Sequence, residues 1–338
     1  MRSKLKDIAR EAGVSTATVD RVLNNRGGVR ERTREIVDEA AKRLKYVPEG
    51  TAGSYVAATS RVDFVIPLGT NAFMKELIQR IHEMAETKIG LEVFVHTIEG
   101  INPDLLAKTL MDLQGQTRGV GVIAIDHPAV REAIRLLSTS GVKVVTIASD
   151  ILHVPRVAYI GIDNRQAGRL AGFIVGKFLA RERPQKVALI AGSLSYRGHE
   201  EREMGFRHIL AEDFPNLQIV ETREMLDDRE KAFHEASAIL KRHRDIAAIY
   251  NIGAGTQGIA RALKDQGRSE GTVFVGHDAT ETNKALLLDG TLDAVIEQNP
   301  LVQAREALNV LQSAISEQPY TPHMPRVQVV FKENIPVM

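Results

Sequence analysis

The sequence predicts a small all-α helix-turn-helix head followed by an α/β body with two parallel sheets in two lobes. Three observations support this fold class. The first 44 residues carry apolar positions at helical spacing, and from residue 61 short apolar runs alternate with helical patterns of about 12 to 17 residues. The length of 338 residues suggests two or three domains. We expect a head over residues 1–48, a linker over 49–60 and a body over 61–338.

Helical periodicity and capping signals predict the three helices of the head. Leu5, Ile8, Ala9 and Ala12 lie at i, i+3, i+4 and i+7 of a first helix. Gly13 suits the end of that helix, and Ser15 is a good N-cap for a second. A third helix is predicted over residues 32–44, in which the residues expected to be buried are Ile36, Val37, Ala40, Ala41 and Leu44.

The second helix of such a module can enter the DNA major groove. On its outward face, Arg21 can donate twice to guanine, and Thr16 and Ala17 can contact base edges or a thymine methyl. Basic residues elsewhere in the head are expected to contact phosphate. The predicted DNA-binding residues of the head are Lys4, Lys6, Ser15, Thr16, Ala17, Asp20, Arg21, Arg26, Arg30 and Arg32.

The charge of the chain is unevenly distributed. Residues 1–34 hold nine Lys or Arg against four Asp or Glu, a balance of +5, whereas the whole chain has a formal net charge of +1. A basic head on a mildly acidic body is typical of a protein that binds a polyanion, although a solvated charged surface explains the charge alone equally well.

Composition excludes several classes of function. The chain has no cysteine, so disulfides, zinc ribbons, iron–sulfur clusters and thiol nucleophiles are ruled out. The HEERE run that begins at His199 lacks the second histidine of the HExxH zinc motif, and no nucleophile elbow or phosphate-binding P-loop occurs. We expect no catalytic residue, metal, cofactor or membrane partner. The charged N-terminus does not resemble a signal peptide, which predicts a cytoplasmic location.

The body is predicted to contain about ten strands, which divide more readily between two sheets than they fit into one. Lobe 1 is expected to comprise about 61–162 plus 291–325, and lobe 2 about 163–290 plus 326–338. The candidate strands are 62–68, 91–97, 121–125, 142–148, 157–162, 186–192, 246–252, 272–278 and 293–298.

Polar residues follow many of these strands, at the edge of the sheets where α/β proteins bind ligands. Carboxylates, amides and an aromatic ring at this edge suit a polyhydroxylated ligand, because each hydroxyl both donates and accepts and one face of a sugar is apolar. For any single Asp or Asn, helix capping is the alternative. The strand-end candidates are Asn71, Phe73, Asp126, Asp150, Asn251, Asp278 and Gln298.

The run LKDIAREAGVSTATVDRVLNN, followed by VRERTREIVDEAAKRLKYVP, resembles the DNA-binding headpiece of the lactose-repressor family over about the first 48 residues. That family usually has a serine before the arginine of the second helix, where this chain has Asp20. In the family, the linker folds on DNA and inserts a leucine into the minor groove. No leucine occurs between Leu44 and Leu68, so Tyr55 and Val56 are the candidates for that contact.

The body resembles the sugar-binding proteins of bacterial periplasms, particularly ribose-binding protein, and so the effector domain of the same repressor family. This periplasmic-binding-protein-like pattern places Asn71 and Phe73 of FVIPLGTNAFM at ligand-contact positions. REMGF and VGHDAT place Arg202 and Asp278 at effector positions, and IEQNP places Gln298 at a position of the ribose-binding branch. Asp126, Asp150 and Asn251 match ligand-contact positions of the family only after shifts of one or two residues.

A second motif points to a different class of protein. GAGTQG, residues 253–258, satisfies GxGxxG between a predicted strand and a predicted helix, and Asp278 follows about 20 residues later. This pattern is typical of an NAD-dependent dehydrogenase. Such a fingerprint normally opens the first βαβ unit of its domain, whereas here it lies deep in the second lobe, so a tight turn beside a ligand cleft is the other explanation.

Together these features predict a cytoplasmic transcription regulator that acts as a repressor and binds operator DNA as a homodimer. A small sugar or polyol effector bound between the lobes is expected to change the angle between them and hence operator affinity. The dehydrogenase is the alternative.

Overall fold

The computed structural model describes residues 5–23, 29, 31–44, 59–179 and 183–336. Residues 1–59 and residues 60–338 form two compact units. Each unit has its own hydrophobic core.

The first unit contains the three predicted helices, α1 (Leu5–Ala12), α2 (Thr16–Leu23) and α3 (Glu31–Arg43). Gly13 adopts a left-handed conformation with φ of 65° and ends α1. The core of this unit is formed by Ile8, Ala9, Val19, Val22, Val37 and Ala40. Ile36, which was predicted to be buried, is 42% exposed, because Val37 and Ala40 define the inner face of α3.

The first lobe of the second unit is a five-stranded parallel sheet with the order β2-β1-β3-β4-β5. Its strands are β1 (Ser60–Leu68), β2 (Leu91–Glu99), β3 (Gly119–Val122), β4 (Lys143–Ile147) and β5 (Ala158–Ile160). Its helices are α4 (Ala72–Ala85), α5 (Pro103–Asp112) and α6 (Pro128–Thr139).

The second lobe is a six-stranded sheet with the order β11-β10-β9-β8-β6-β7, in which only the β10–β11 pair is antiparallel. Its strands are β6 (Gln185–Ala191), β7 (Leu217–Glu224), β8 (Ile246–Asn251), β9 (Val273–His277), β10 (Ala294–Glu297) and β11 (Gln328–Val330). Its helices are α7 (Asn164–Phe178), α8 (Arg197–Asp213), α9 (Arg229–Arg242), α10 (Thr256–Asp265) and α11 (Glu281–Leu288), and a 3-10 turn spans Lys332–Asn334.

The chain returns to the first lobe later than predicted. Strand β10 pairs with β9, with Val295 opposite Gly276, so residues 291–297 belong to the second lobe and not to the first. Helix α12 (Pro300–Ile315) then packs Ala304, Ala307, Leu308 and Leu311 into the core of the first lobe. The crossing therefore lies between Glu297 and Pro300. The fold class of a helical head and a two-lobed α/β body with mainly parallel strands is confirmed.

Candidate functional site

The outer face of α2 presents three of the side chains predicted to contact bases. Thr16, Ala17 and Arg21 are exposed, and Asp20 is partly exposed. Ser15 is occupied in capping, because its Oγ accepts a hydrogen bond from the Thr18 amide at 3.1 Å. Lys6 is exposed on α1. The predicted residues Lys4, Arg26, Arg30 and Tyr55 and the side chain of Arg32 lie outside the described residues.

In the second unit, an unusually close crossing of α7 and α8 positions Arg202. A Cβ added to Gly168 on α7 would lie 1.9 Å from the Arg202 carbonyl oxygen. On α8, a Cβ added to Gly205 would lie 2.1 Å from the Arg165 carbonyl oxygen. Both helices therefore need glycine at the crossing, and this brings the α8 backbone at Arg202 directly against α7.

The guanidinium of Arg202 lies at the centre of a buried hydrogen-bond network. The residue is 4% exposed. Its Nε donates to Asn164 Oδ1 at 2.8 Å, its Nη1 to the Ile252 carbonyl at 2.9 Å, and its Nη2 to Gln298 Oε1 at 3.2 Å. Gln298 Nε2 donates in turn to Asp278 Oδ1 at 2.9 Å. Gln298 thus joins the two charged residues that the sequence placed in the ligand site.

The surroundings of the Asp278 carboxyl disfavour its ionised form. Part of the residue remains accessible to solvent, but the protein packed around the carboxyl desolvates it. Desolvation, together with the nearby Glu297, raises the pKa of Asp278 to about 8, while Arg202 and Gln298 oppose the rise. Asp278 also has a left-handed backbone with φ of 66°. The protonated carboxyl can therefore donate a hydrogen bond to a ligand oxygen near neutral pH.

We expect Asp278→Asn to remove a pH dependence of stability. The folded state keeps a proton that the unfolded chain releases near the ordinary pKa of 3.8, so between that pH and about 8 the free energy of unfolding falls as pH rises. Urea denaturation at pH 5 and pH 8 should show a larger fall for the wild type than for Asp278→Asn. Equal falls in both proteins would contradict the raised pKa.

Direct contacts join the two lobes around this network. Thr70 Oγ1 donates to the Asp227 carbonyl at 2.6 Å, and Asn71 Nδ2 donates to Asp227 Oδ2 at 3.0 Å. The Asp126 amide donates to the Ser195 carbonyl at 2.8 Å. These contacts hold the lobes together, and the space between Phe73, Arg202, Asp278 and their neighbours has a volume of only about 30 Å³. That is room for about two water molecules, so a sugar does not fit the narrow space in this arrangement of the lobes.

Two aromatic side chains of the second lobe complete the cleft. Tyr196 is 3% exposed and packs into the core of the first lobe. His199 lines the same space, and its Nδ1 lies 2.9 Å from the Ser193 carbonyl oxygen. Desolvation lowers the pKa of His199 to about 4, so its imidazole is neutral near pH 7.

Two family models match the chain. Residues 62–319 match the periplasmic binding protein domain, and residues 4–49 match the model for bacterial regulatory proteins of the lacI family. The chain therefore belongs to the family of the periplasmic binding protein domain, and its head matches the lacI-family model. The resemblance stated from the sequence, a lactose-repressor-type head with a sugar-binding-protein-like body, is confirmed.

Two repressors are similar to this chain. The chain is 27% identical over 212 residues to the HTH-type transcriptional repressor PurR of Vibrio cholerae, and the match covers 62% of this chain and 60% of that repressor. It is 27% identical over 247 residues to the ribose operon repressor of Halalkalibacterium halodurans, covering 73% and 70% of the two chains. The match thus spans less than two thirds of the length of the first relative.

A solved structure shows the same fold as the body. It is GanP, a glucose-galactose binding protein from Geobacillus stearothermophilus, with a TM-score of 0.74 and 23% sequence identity. The superposition covers 82% of this chain and 99% of GanP. At this level of identity the likeness shows the fold alone.

Five of the eight predicted effector residues line the narrow space between the lobes, namely Asn71, Phe73, Arg202, Asp278 and Gln298. Asp126, Asp150 and Asn251 do not line it, and each has another role. Asp126 forms an ion pair with Arg131, and Asp150 pairs with Arg156 and accepts from Thr146 at 2.7 Å.

Asn251 lies beneath the glycine turn that follows β8. It is completely buried, and its Nδ2 donates to the Gly253 and Ala254 carbonyls and to Thr256 Oγ1, each at 3.0 Å. Asn251 therefore holds the turn in shape instead of facing the ligand space. Asp163 caps α7, because its Oδ1 accepts a hydrogen bond from the Gln166 amide at 2.8 Å.

The dehydrogenase alternative has no support. GAGTQG forms a tight turn into α10, in which Gly258 is needed because its Cβ would lie 2.1 Å from the Arg229 carbonyl oxygen. The two repressors named above are transcription factors. Among the residues that the structure describes, no cluster of three or more His, Asp or Glu could hold a metal ion. None of the described helices is long and apolar enough to cross a bilayer.

Proposed function

We propose that this chain is a transcription repressor whose affinity for operator DNA is controlled by a small sugar or polyol bound between the two lobes. The observation that carries the proposal is the combination, in one chain, of a lacI-family head with an exposed recognition face and a two-lobed body with a buried Arg202–Gln298–Asp278 network. Each member of that network can exchange its present hydrogen bonds for bonds to ligand hydroxyls.

The closed cleft supports control by a ligand. Thr70, Asn71 and Asp126 join the lobes directly, so a ligand that enters must break these contacts and replace them. The two arrangements of the lobes then differ in their affinity for ligand. If they also differ in their affinity for DNA, ligand and operator are coupled by the same factor in both directions.

The proposal includes a homodimer that acts in the cytoplasm without catalytic activity. Two copies of the head would read the two halves of a near-palindromic operator about one helical turn, or a multiple of it, apart. A regulator that binds chromosomal DNA acts in the compartment that contains the chromosome. Ligand binding requires hydrogen bonds and charge, and the network offers both.

The test is a selection of DNA from random sequences with the full-length chain, followed by titration of the selected site with a panel of sugars and polyols. We expect a near-palindromic site and a change in operator affinity with at least one compound. Selection of no sequence above random DNA would refute the proposal. In another outcome, the chain binds a specific site and, by calorimetry, also a compound that leaves the affinity for that site unchanged. That result would refute the proposed control of DNA binding by a ligand.

In the DNA-binding titration, the Arg21→Ala variant should lose discrimination between DNA sequences. Arg21 is the long donor on the outer face of α2, and we expect its removal to cost about 1 to 3 kcal/mol at the selected site and to flatten the preference at one base pair. Lys6→Ala is the control, since a phosphate contact should weaken specific and random DNA alike and make the salt dependence shallower. An equal loss on both DNAs for Arg21→Ala would contradict the assignment.

A further inference from the structure

A second, larger space adjoins the narrow cleft. It has a volume of about 330 Å³ and lies between the beginning of α4 in the first lobe and the beginnings of α10 and α11 in the second. Asn71, Phe73, Gly253 and Asp278 line both this space and the narrow one. One ligand can therefore extend from the Arg202 network into the larger space.

The glycine turn makes one wall of the larger space from backbone. A Cβ on Gly253 would lie 2.8 Å from Asp227 Oδ1, and a Cβ on Gly255, whose φ is 83°, would lie 2.7 Å from Met225 Sδ. Neither position accepts a side chain. Gly255 is also the N-cap of α10 and provides no side-chain acceptor for the amides of the first turn. Thr256 and Gln257, which carry the first two of these amides, line the space.

Two cations line the same space. Among the described residues, no carboxylate forms an ion pair with Lys75 or Arg229, which are both exposed at its rim. Arg229 is oriented by Gln257, whose Oε1 accepts from Nη1 at 2.7 Å. The carboxyl that lines the space belongs to Asp278, whose burial favours its neutral form. The charge of the lining is therefore positive.

A buried polar atom without a partner also belongs to this wall. His277 is 2% exposed and lines the space, and its Nε2 lies 2.8 Å from the Tyr250 hydroxyl. Its Nδ1 has no hydrogen-bond partner among the described residues. A buried polar atom of this kind normally has a partner, which a ligand can provide.

We propose that the larger space binds an anionic substituent, a phosphate or a carboxylate, of the same effector whose hydroxylated part contacts Arg202, Gln298 and Asp278. Two cations without acidic partners and an uncapped helix N-terminus attract an anion and repel a cation. A neutral sugar would use neither the two cations nor the helix N-terminus. The inference rests on the proposed function, because it specifies the chemical class of the effector.

The experiment measures thermal stability and calorimetric binding of the full-length chain with five probes. These are inorganic phosphate, D-glucose 6-phosphate, D-glucuronate, D-glucose, and sodium chloride at matched ionic strength. The variant is Lys75→Gln combined with Arg229→Gln. The matched control is Lys241→Gln, which removes an exposed charge from the same helix as Arg229 at the far end of α9.

We expect inorganic phosphate to raise the melting temperature more than sodium chloride does, and the double variant to bind phosphate at least tenfold more weakly than the control. Tighter binding of glucose 6-phosphate than of glucuronate would assign the substituent as phosphate, and the reverse as carboxylate. A phosphate response equal to that of sodium chloride, or unchanged in the double variant, would overturn the inference. If neutral sugars then still altered operator affinity, the proposed function would stand without it.

Discussion

Replacement of Arg202 by alanine is expected to lower the free energy of unfolding by about 3 to 5 kcal/mol. The guanidinium is buried and donates to Asn164, to the Ile252 carbonyl and to Gln298. Alanine leaves all three acceptors without this donor, and each unpaired buried group costs about 1 to 3 kcal/mol unless water replaces the guanidinium. Effector affinity should fall at least tenfold in the same variant.

Urea denaturation monitored by circular dichroism measures the stability loss. The control is Arg207→Ala, which lies on the same helix but is exposed and pairs with Glu203 at 2.7 Å. An exposed ion pair within one helix contributes less than about 1 kcal/mol. If Arg207→Ala cost as much as Arg202→Ala, the buried network would not be the source of the loss.

Gly168→Ala should destabilise the second lobe by about 3 kcal/mol although it adds a single methyl group. The new Cβ would lie 1.9 Å from the Arg202 carbonyl oxygen, which is backbone and cannot rotate away. Helix α8 must therefore move, and with it the Arg202 guanidinium. Effector binding should weaken along with stability.

Gly271→Ala provides the comparison, because nothing lies within 4 Å of the position of its Cβ and its φ is not in the left-handed region. We expect a change within about 0.5 kcal/mol for an exposed site of this kind. Equal melting temperatures for Gly168→Ala and the wild type would show that the two helices tolerate separation.

Local signals were sufficient to predict the head. The cap at Ser15, the left-handed Gly13 and the helical spacing of apolar residues give the three helices to within one residue at their beginnings. Helix boundaries of this kind depend on contacts between near neighbours in sequence. The residue that was misplaced, Ile36, differs by one position from the inner face of α3.

Edge strands were harder to predict. Strands β7 and β11 lie at the two edges of the second sheet. Only two of the eight residues of β7 are buried, and one of them is Glu221, so the strand has no alternating apolar pattern. Because the sequence does not predict a strand at β7, it predicts no ligand-edge residue in the loop that follows. That loop contains Asp227, whose contacts with Thr70 and Asn71 join the lobes.

The site was predicted where the chain provides a motif and missed where it depends on long-range packing. Arg202 was placed by REMGF, but its neighbours Glu200, Glu201 and Glu203 gave no sign that it is buried. Burial follows from the glycines of α7 and α8, which are far apart in sequence. Asn251 and Asp150 show the reverse error. Each is a polar residue after a strand that was predicted to contact the ligand, but its side chain forms hydrogen bonds within the local structure.

Leu226 and Asp227 both have φ of 55°, a conformation that costs energy for residues other than glycine, and Asp227 also accepts from the Ala254 amide at 3.0 Å. If the cleft opens when the contacts of this loop with Thr70 and Asn71 break, the apparent ligand affinity is the intrinsic affinity multiplied by the open fraction. Sensitivity to the effector is therefore adjustable through a dipeptide outside the ligand space. Relatives with identical ligand contacts could respond at different concentrations.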